Sequence, residues 1–201
     1  MNGTSDLDFI TAIVLAGGQA TRMNRIDKGL VELNQKPLIE YTIESLFKQI
    51  QSIIINANRN IEIYKQYGYP VIEDDLKDYS GPLSGIASCM KAVTTRFVIT
   101  VPCDSPFIPL DLAQRLYNSL ISERSEISVV HDGERMQPVF SLMKVSLLPS
   151  LLDYLASGER KIELWFQQHQ LTLCDFSDKP DAFININTQE EIDAIEKQLN
   201  S

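Results

Sequence analysis

Excess positive charge, paired cysteines and long apolar runs are all missing from this chain of 201 residues, and each absence closes a class of function. Lys and Arg number 18 against 27 Asp and Glu, a formal net charge of −9. Nucleic acid binding, which draws on many cationic contacts to phosphate, is therefore not expected. The three cysteines, Cys89, Cys103 and Cys174, are odd in number and form no CxxC pair, which argues against a disulfide framework and fits a reducing, cytoplasmic setting. The opening MNGTSDLD carries no basic residue, and the apolar run after it is too short for a signal h-region or a membrane span. No membrane partner is expected. His131 and His169 have no partner at metal-ligand spacing, which sets zinc aside, and no Gly-x-Ser-x-Gly elbow occurs.

What is present is an ordinary globular composition, 44% hydrophobic and 22% charged, of a length that suits one domain with a full core. Residues 1–9 read as a flexible lead and 10–201 as one domain. The run ITAIVL at 10–15 is nearly continuous in apolar residues, as in a central parallel strand covered on both faces. Strand and helix signals then alternate. Pro37 suits the first turn of a helix carrying Ile39, Ile43, Leu46, Phe47 and Ile50 on its buried side. Strands are expected at 52–56, 71–72 and 97–101, neighbouring strands at 127–131 and 138–143, and an edge strand at 171–176, with helices between them. Thr188 and Glu191 match a capping box at the start of a last helix with Ile192, Ile195 and Leu199 as its stripe. The expected fold class is α/β, a three-layer sandwich with a mainly parallel central sheet. In such sheets the ligand crevice lies beyond the carboxyl ends of the strands. The polar loops after Leu15, Asn56, Ile72 and Val101 are the candidates.

The loop after Leu15 contains Ala16, Gly17 and Gly18, then Arg22, Arg25 and Lys28. It lacks the spacing of a dinucleotide fingerprint and the Lys-Ser/Thr of a Walker sequence. What remains is a backbone open to close approach by a ligand and three cations able to offset several negative charges, an arrangement suited to a triphosphate. A solvated basic loop after a plain turn is the alternative. Asp104 follows a Pro-Cys turn at the end of a buried strand, and Mg²⁺ often takes only one or two carboxylates. A turn-capping Asp before Pro106 accounts for the same spacing.

Leu15 to Met23, with Asp27-Lys28 and Lys36-Pro37-Leu38, resembles the signature of nucleotidyltransferases with a Rossmann-like, glycosyltransferase-A-like fold. More narrowly, the chain resembles the molybdenum cofactor guanylyltransferases through Asn56-Ala57-Asn58-Arg59, Gly81-Pro82-Leu83-Ser84-Gly85, Pro102-Cys103-Asp104-Ser105-Pro106, Asp132-Gly133-Glu134-Arg135, Gly158-Glu159-Arg160 and Asn185-Ile186-Asn187-Thr188. The resemblance implies transfer of GMP from GTP to molybdopterin-bound molybdenum with Mg²⁺, releasing pyrophosphate. It implies nucleotide contacts from Leu15, Ala16, Gly17, Gly18, Lys28, Asn56, Asp74 and Asp104, and a metal on Asp104. Lys28, Arg22 and Asp104 would carry the catalysis, and Gly81, Gly85, Arg160, Asn185 and Asn187 would lie on the acceptor side. Transient contact with molybdenum-cofactor biosynthesis proteins or acceptor molybdoenzymes is implied as well. Another nucleotidyltransferase, of sugar-phosphate or cytidylyl type, and a non-catalytic cofactor-delivery module are the rival readings. Asn24 and Gln35 depart from the family pattern, each standing where Gly is usual.

Overall fold

A computed structural model describes residues 6–17, 27–75, 81–186 and 188–199, and in it the apolar run becomes β1 (Ile10–Leu15). Ahead of β1, within the stretch read as a flexible lead, Asp6–Phe9 form a 3-10 turn. Tertiary contacts hold it: Leu7 packs on the core, and the Arg96 guanidinium lies 5.1 Å from the centre of the Phe9 ring.

The next elements, β2 (Glu32–Leu33) and β3 (Lys36–Pro37), are a short antiparallel hairpin. Its two-residue loop, Asn34 and Gln35, is left-handed at both positions, with φ of 49° and 62°. Loops of that hand follow the twist of paired strands and favour Asn-Gly, which explains the Gly expected at position 35 and makes Gln35 a strained substitute. α1 (Leu38–Phe47) follows, with Pro37 as its cap, not its first helical residue. Pro37 is still extended, as the last residue of the hairpin, so the helix starts one residue later. Its buried stripe is Leu38, Ile39, Thr42, Ile43 and Leu46; Phe47 is 54% exposed, turned off the stripe.

The remaining elements, in order, are β4 (Ser52–Asn56), α2 (Ile61–Lys65), β5 (Val71–Ile72), α3 (Pro82–Ala92), β6 (Phe97–Pro102), α4 (Leu112–Ser122), β7 (Ile127–His131), β8 (Met136–Lys144), α5 (Leu148–Ala156), α6 (Ile162–Phe166), β9 (Leu171–Asp175) and α7 (Gln189–Leu199). Seven strands form one sheet in the order β5-β4-β1-β6-β8-β7-β9. Pairing is parallel from β5 to β6 and between β7 and β9, while β8 runs antiparallel to both its neighbours. Successive strand residues point to opposite faces, and β1 divides accordingly. Ala12 and Val14 join the core under α1, α2 and α4; Ile13 joins the core under α3, α5 and α6. Three layers result. A third cluster, Val31, Leu33, Leu38, Ile186 and Ile192, seats α7 against the hairpin. The capping box forms: Thr188 N donates to Glu191 Oε2 at 3.1 Å and Glu191 N to Thr188 Oγ1 at 3.2 Å. Among the described residues no helix is long and apolar enough to cross a membrane.

From β1 the chain moves outward through β4 to β5, then returns to place β6 on the other side of β1. That reversal opens a crevice at the carboxyl end of β1.

Candidate active site

Three strand ends meet in register at the crevice. Leu15 lies opposite Asn56 on one side and Pro102 on the other. The ladder continues past the strands, with Ala16 N donating to Asn56 O at 2.8 Å and Cys103 N to Leu15 O at 3.1 Å. A cleft of about 660 Å³ opens there, and its wall includes Leu15, Ala16, Gly17, Lys28, Asn56, Asn58, Arg59, Asp74, Gly81, Asp104 and Asn185. All four polar loops singled out by the strand pattern contribute to it. A second hollow of about 390 Å³, at the opposite end of β1 and β4, has no ionised side chain in its wall. Its hydroxyls bond one another, Thr11 Oγ1 lying 3.0 Å from Ser52 Oγ and 2.8 Å from Thr95 Oγ1, so it offers nothing to a polyanion.

Asp104 is 4% exposed, and its Oδ2 accepts a hydrogen bond from Lys28 Nζ at 3.0 Å. A cation and a carboxylate 76 residues apart in sequence are thus neighbours. The thiol beside them is inert: burial pushes the Cys103 thiol far above its ordinary pKa, and the Asp104 carboxylate adds to the effect. It stays protonated, as a core residue does. The local donors are therefore hard oxygens, which fits Mg²⁺ better than a thiophilic metal. No group of three or more His, Cys, Asp or Glu at metal-binding distance occurs among the described residues, so Asp104 would share an ion with phosphate oxygens and water.

Lys28 is placed from both sides. The carboxylate before it, Asp27, is 3% exposed and accepts from Arg59 Nη2 at 2.5 Å and from Asn60 Nδ2 at 2.7 Å. After it, Gly29 packs where a Cβ would lie 3.1 Å from Cys103 Cβ and 3.2 Å from the Tyr64 hydroxyl. Residues 27–29 are thereby locked to the end of β4 and to the turn after β6. Asp27, Asn58 and Arg59 were not among the sequence-derived site residues. Their signal was a lone carboxylate inside a basic loop and a polar run at a strand end.

Asn56 Nδ2 donates to Ile72 O at 3.1 Å and to Asp74 Oδ1 at 2.8 Å, while Asn58 Oδ1 accepts from Asp74 N at 2.8 Å. Asn56 and Asp74, expected together on the nucleotide, are directly bonded. Gly17 is closely packed: a Cβ there would sit 3.0 Å from Asn58 Nδ2 and 3.2 Å from Asn56 Oδ1 and would press on both amides. Gly85, placed on the acceptor side by the resemblance, packs against Asn56, where a Cβ would lie 2.0 Å from Oδ1. Gly81, with φ of 117°, caps α3 and lines the cleft. Arg160 is outside the cleft wall; its Nη1 donates to the carbonyls of Leu155 at 2.8 Å and Glu159 at 2.6 Å, closing the end of α5. Asn185 is on the wall, and its Oδ1 accepts from Ser105 Oγ at 2.6 Å. Gly18, Arg22, Asn24, Arg25 and Asn187 lie outside the described residues.

A crevice at the strand reversal, a glycine just past β1, a lysine and a buried carboxylate are parts that nucleotidyl transfer can use. Residues 12–172 match the family described as MobA-like NTP transferase domain. Relatives named molybdenum cofactor guanylyltransferase include that of Shewanella loihica, 46% identical over 90% of this chain and 93% of its own length. That of Shewanella woodyi is 47% identical over the same shares. A molybdopterin-guanine dinucleotide biosynthesis protein A from Archaeoglobus fulgidus shares the fold with a TM-score of 0.78 at 20% identity, over 94% of this chain and 98% of that one. The chain belongs to the MobA-like NTP transferases and, within them, to the molybdenum cofactor guanylyltransferase family.

Proposed function

We propose that this protein transfers GMP from GTP to molybdopterin-bound molybdenum, giving the guanine dinucleotide cofactor and pyrophosphate in the cytoplasm. The observation that carries the reading is the contact of Lys28 with Asp104 at 3.0 Å, at the carboxyl ends of β1 and β6, in a chain 46% identical to a relative named for that activity. Ala16 and Gly17 bring backbone close to the nucleotide, and Asn56 and Asp74 hold its nucleoside. Lys28 balances charge on the phosphates. Asp104 holds a divalent ion, assigned as Mg²⁺, which when bound would offset charge on the α-phosphate and the leaving pyrophosphate. The acceptor is a phosphate whose second ionisation falls at about pH 6, so it attacks the α-phosphorus in line without a protein base. That agrees with the absence of histidine from the described cleft wall. Catalysis is positioning and electrostatics. Arg22, Gly18 and Asn187 keep their assigned roles in the proposal, as do Gly81 and Arg160 at the acceptor margin. Biosynthesis proteins or acceptor molybdoenzymes are proposed as transient partners.

The test is incubation with Mo-molybdopterin, Mg²⁺ and each nucleoside triphosphate in turn, reading guanine dinucleotide and pyrophosphate. Product with GTP alone is expected, and Asp104→Asn should abolish it while leaving the circular dichroism spectrum intact. Preference for CTP or UTP, or near-normal turnover by Asp104→Asn, would defeat the reading.

A further inference from the structure

β8 leaves the register of the sheet beside the cleft. Val129 on β7 faces Ser141, but the next residue, Val130, faces Gln137, so one step along β7 corresponds to four along β8. Pro138, Val139 and Phe140 form the intervening bulge. Pairing with β6 stops at the same level, at Thr100 opposite Ser141, two residues short of the end of β6. Bulges re-aim side chains and are frequent next to active sites, and Pro138, which has no N–H to give a ladder, suits one.

Two contacts set the shape of the bulge. Phe140 is buried, and its ring meets that of Phe183 edge-on, with centroids 5.0 Å apart and planes at 79°. Thr100 is buried on β6, and its Oγ1 lies 2.7 Å from the Val139 carbonyl. A carbonyl can only accept, so the hydroxyl donates there, and its lone pairs stay open to Ser141 Oγ at 3.0 Å. The Ser141 carbonyl, at 3.4 Å, is the more distant acceptor. Between the Phe140 anchor and its own bonded carbonyl, Val139 is half-buried and forms part of the cleft wall.

Strand order decides what Val139 can meet. Across the cleft the sheet presents Asn56 from β4, Leu15 from β1, Pro102 from β6 and Val139 from β8, in that order. In the proposed reaction Asn56 and Asp74 take the nucleoside, and Lys28 with the residues after β1 takes the phosphates, which leaves the β6–β8 flank to the acceptor. Pro102 and Val139 carry no polar side-chain atom, so this flank suits the uncharged fused ring of a pterin and not its phosphate. We infer that Val139 is a specificity-determining residue that contacts the pterin ring of the acceptor, and that Thr100 is the positioning residue whose hydroxyl holds it there. The inference deepens the proposed guanylyl transfer and rests on it. Thr100 does not touch substrate itself.

The test uses the full chain in three arms. In steady-state kinetics Val139→Ala, which lies outside the Thr100 hydroxyl network, should raise KM for Mo-molybdopterin about tenfold, the effect of two methyl groups lost from an apolar contact, with GTP affinity in a direct titration unchanged within twofold. An unchanged KM for the acceptor, or an equal loss toward GTP, overturns the inference. In ligand-free protein, the Val139 methyl signals of a carbon-13 correlation spectrum, assigned by their loss in Val139→Ala, should shift in Thr100→Val and keep their positions in Thr100→Ser; signals unmoved in Thr100→Val overturn the positioning role. Thr100→Val should also raise KM for Mo-molybdopterin with GTP affinity unchanged, and Thr100→Ser should restore it to within twofold of wild type; equal losses toward both substrates would show a merely structural hydroxyl and overturn that role. Failure of the parent reaction is separate: wild-type protein would then make no guanine dinucleotide, whereas product formation with a wild-type acceptor KM in Val139→Ala defeats this inference alone.

Discussion

Gly85→Ala sets two effects of opposite sign against each other at one atom. Gly85 lies in the first turns of α3, and replacing a helical glycine by alanine ordinarily stabilises by about 1 kcal/mol. Here the new methyl would fall 2.0 Å from Asn56 Oδ1, 2.6 Å from its Cγ and 2.9 Å from its Nδ2. Asn56 is 3% exposed and cannot retreat without giving up its bonds to the Ile72 carbonyl and the Asp74 carboxylate. The first is worth about 1 kcal/mol and the second, to a charged group, about 1.5–3 kcal/mol. Set against the helix gain, the expected result is a net destabilisation of about 2 kcal/mol. The urea midpoint should fall with an unchanged slope, and GTP affinity by isothermal titration should weaken at least tenfold as Asn56 leaves its place. Truncating the obstacle reverses the sign: in an Asn56→Ala background the same glycine substitution should be stabilising. A single variant more stable than wild type with wild-type GTP affinity would refute the packing argument.

Two further perturbations have defined directions. Gln35→Gly removes a left-handed non-glycine residue from an exposed hairpin loop and should stabilise by about 1 kcal/mol, raising the thermal midpoint without altering KM for GTP; a lowered midpoint would show that the Gln35 side chain contributes more than its backbone costs. Arg59→Ala takes the guanidinium from Asp27, which is 3% exposed, and leaves it the Asn60 amide as a neutral donor; the change should cost about 2 kcal/mol, below the range for a fully buried pair because the Arg59 side chain is 45% exposed. Asp27→Asn should cost less in the same urea titration, since it leaves a guanidinium that water can reach, and the reverse order would sink this account of the pair.

Elements whose signal is local were legible. β1 and β6 read as buried strands because nearly every residue is apolar, and all of them but Leu15 are buried. The capping box of α7 is a four-residue pattern, and it formed as spaced. Features decided by partners distant in sequence were not. The turn at Asp6–Phe9 has no periodicity and is held by Arg96. Gly85 reads as part of a turn motif until Asn56 is seen against it. Arg160 is a different case: its guanidinium donates to carbonyls one and five residues back, at the end of α5, and charge and spacing alone do not distinguish such a local contact from ligand binding.

The charges of the described cleft wall are matched before any nucleotide arrives. Lys28 is set against Asp104 and Arg59 against Asp27, while Asp74 is held by the Asn56 amide. Two buried carboxylates, Asp27 and Asp104, would be costly without those cations, so part of the positive charge near the cleft is already spent on holding the fold together. A triphosphate therefore cannot gain its full counter-charge from Lys28 and Arg59 without leaving a buried acid unpaired. Under the proposed reading this explains why the nucleotide has to enter with a divalent ion, and why the basic residues Arg22 and Arg25 stand between Gly17 and Asp27 in sequence. The ion would take over the charge on Asp104 that Lys28 now balances, and Lys28 would become available to the phosphates. On this logic Lys28→Ala harms twice, once at the phosphates and once by exposing Asp104 to burial without a partner, whereas Asp104→Asn harms chemistry while sparing the fold.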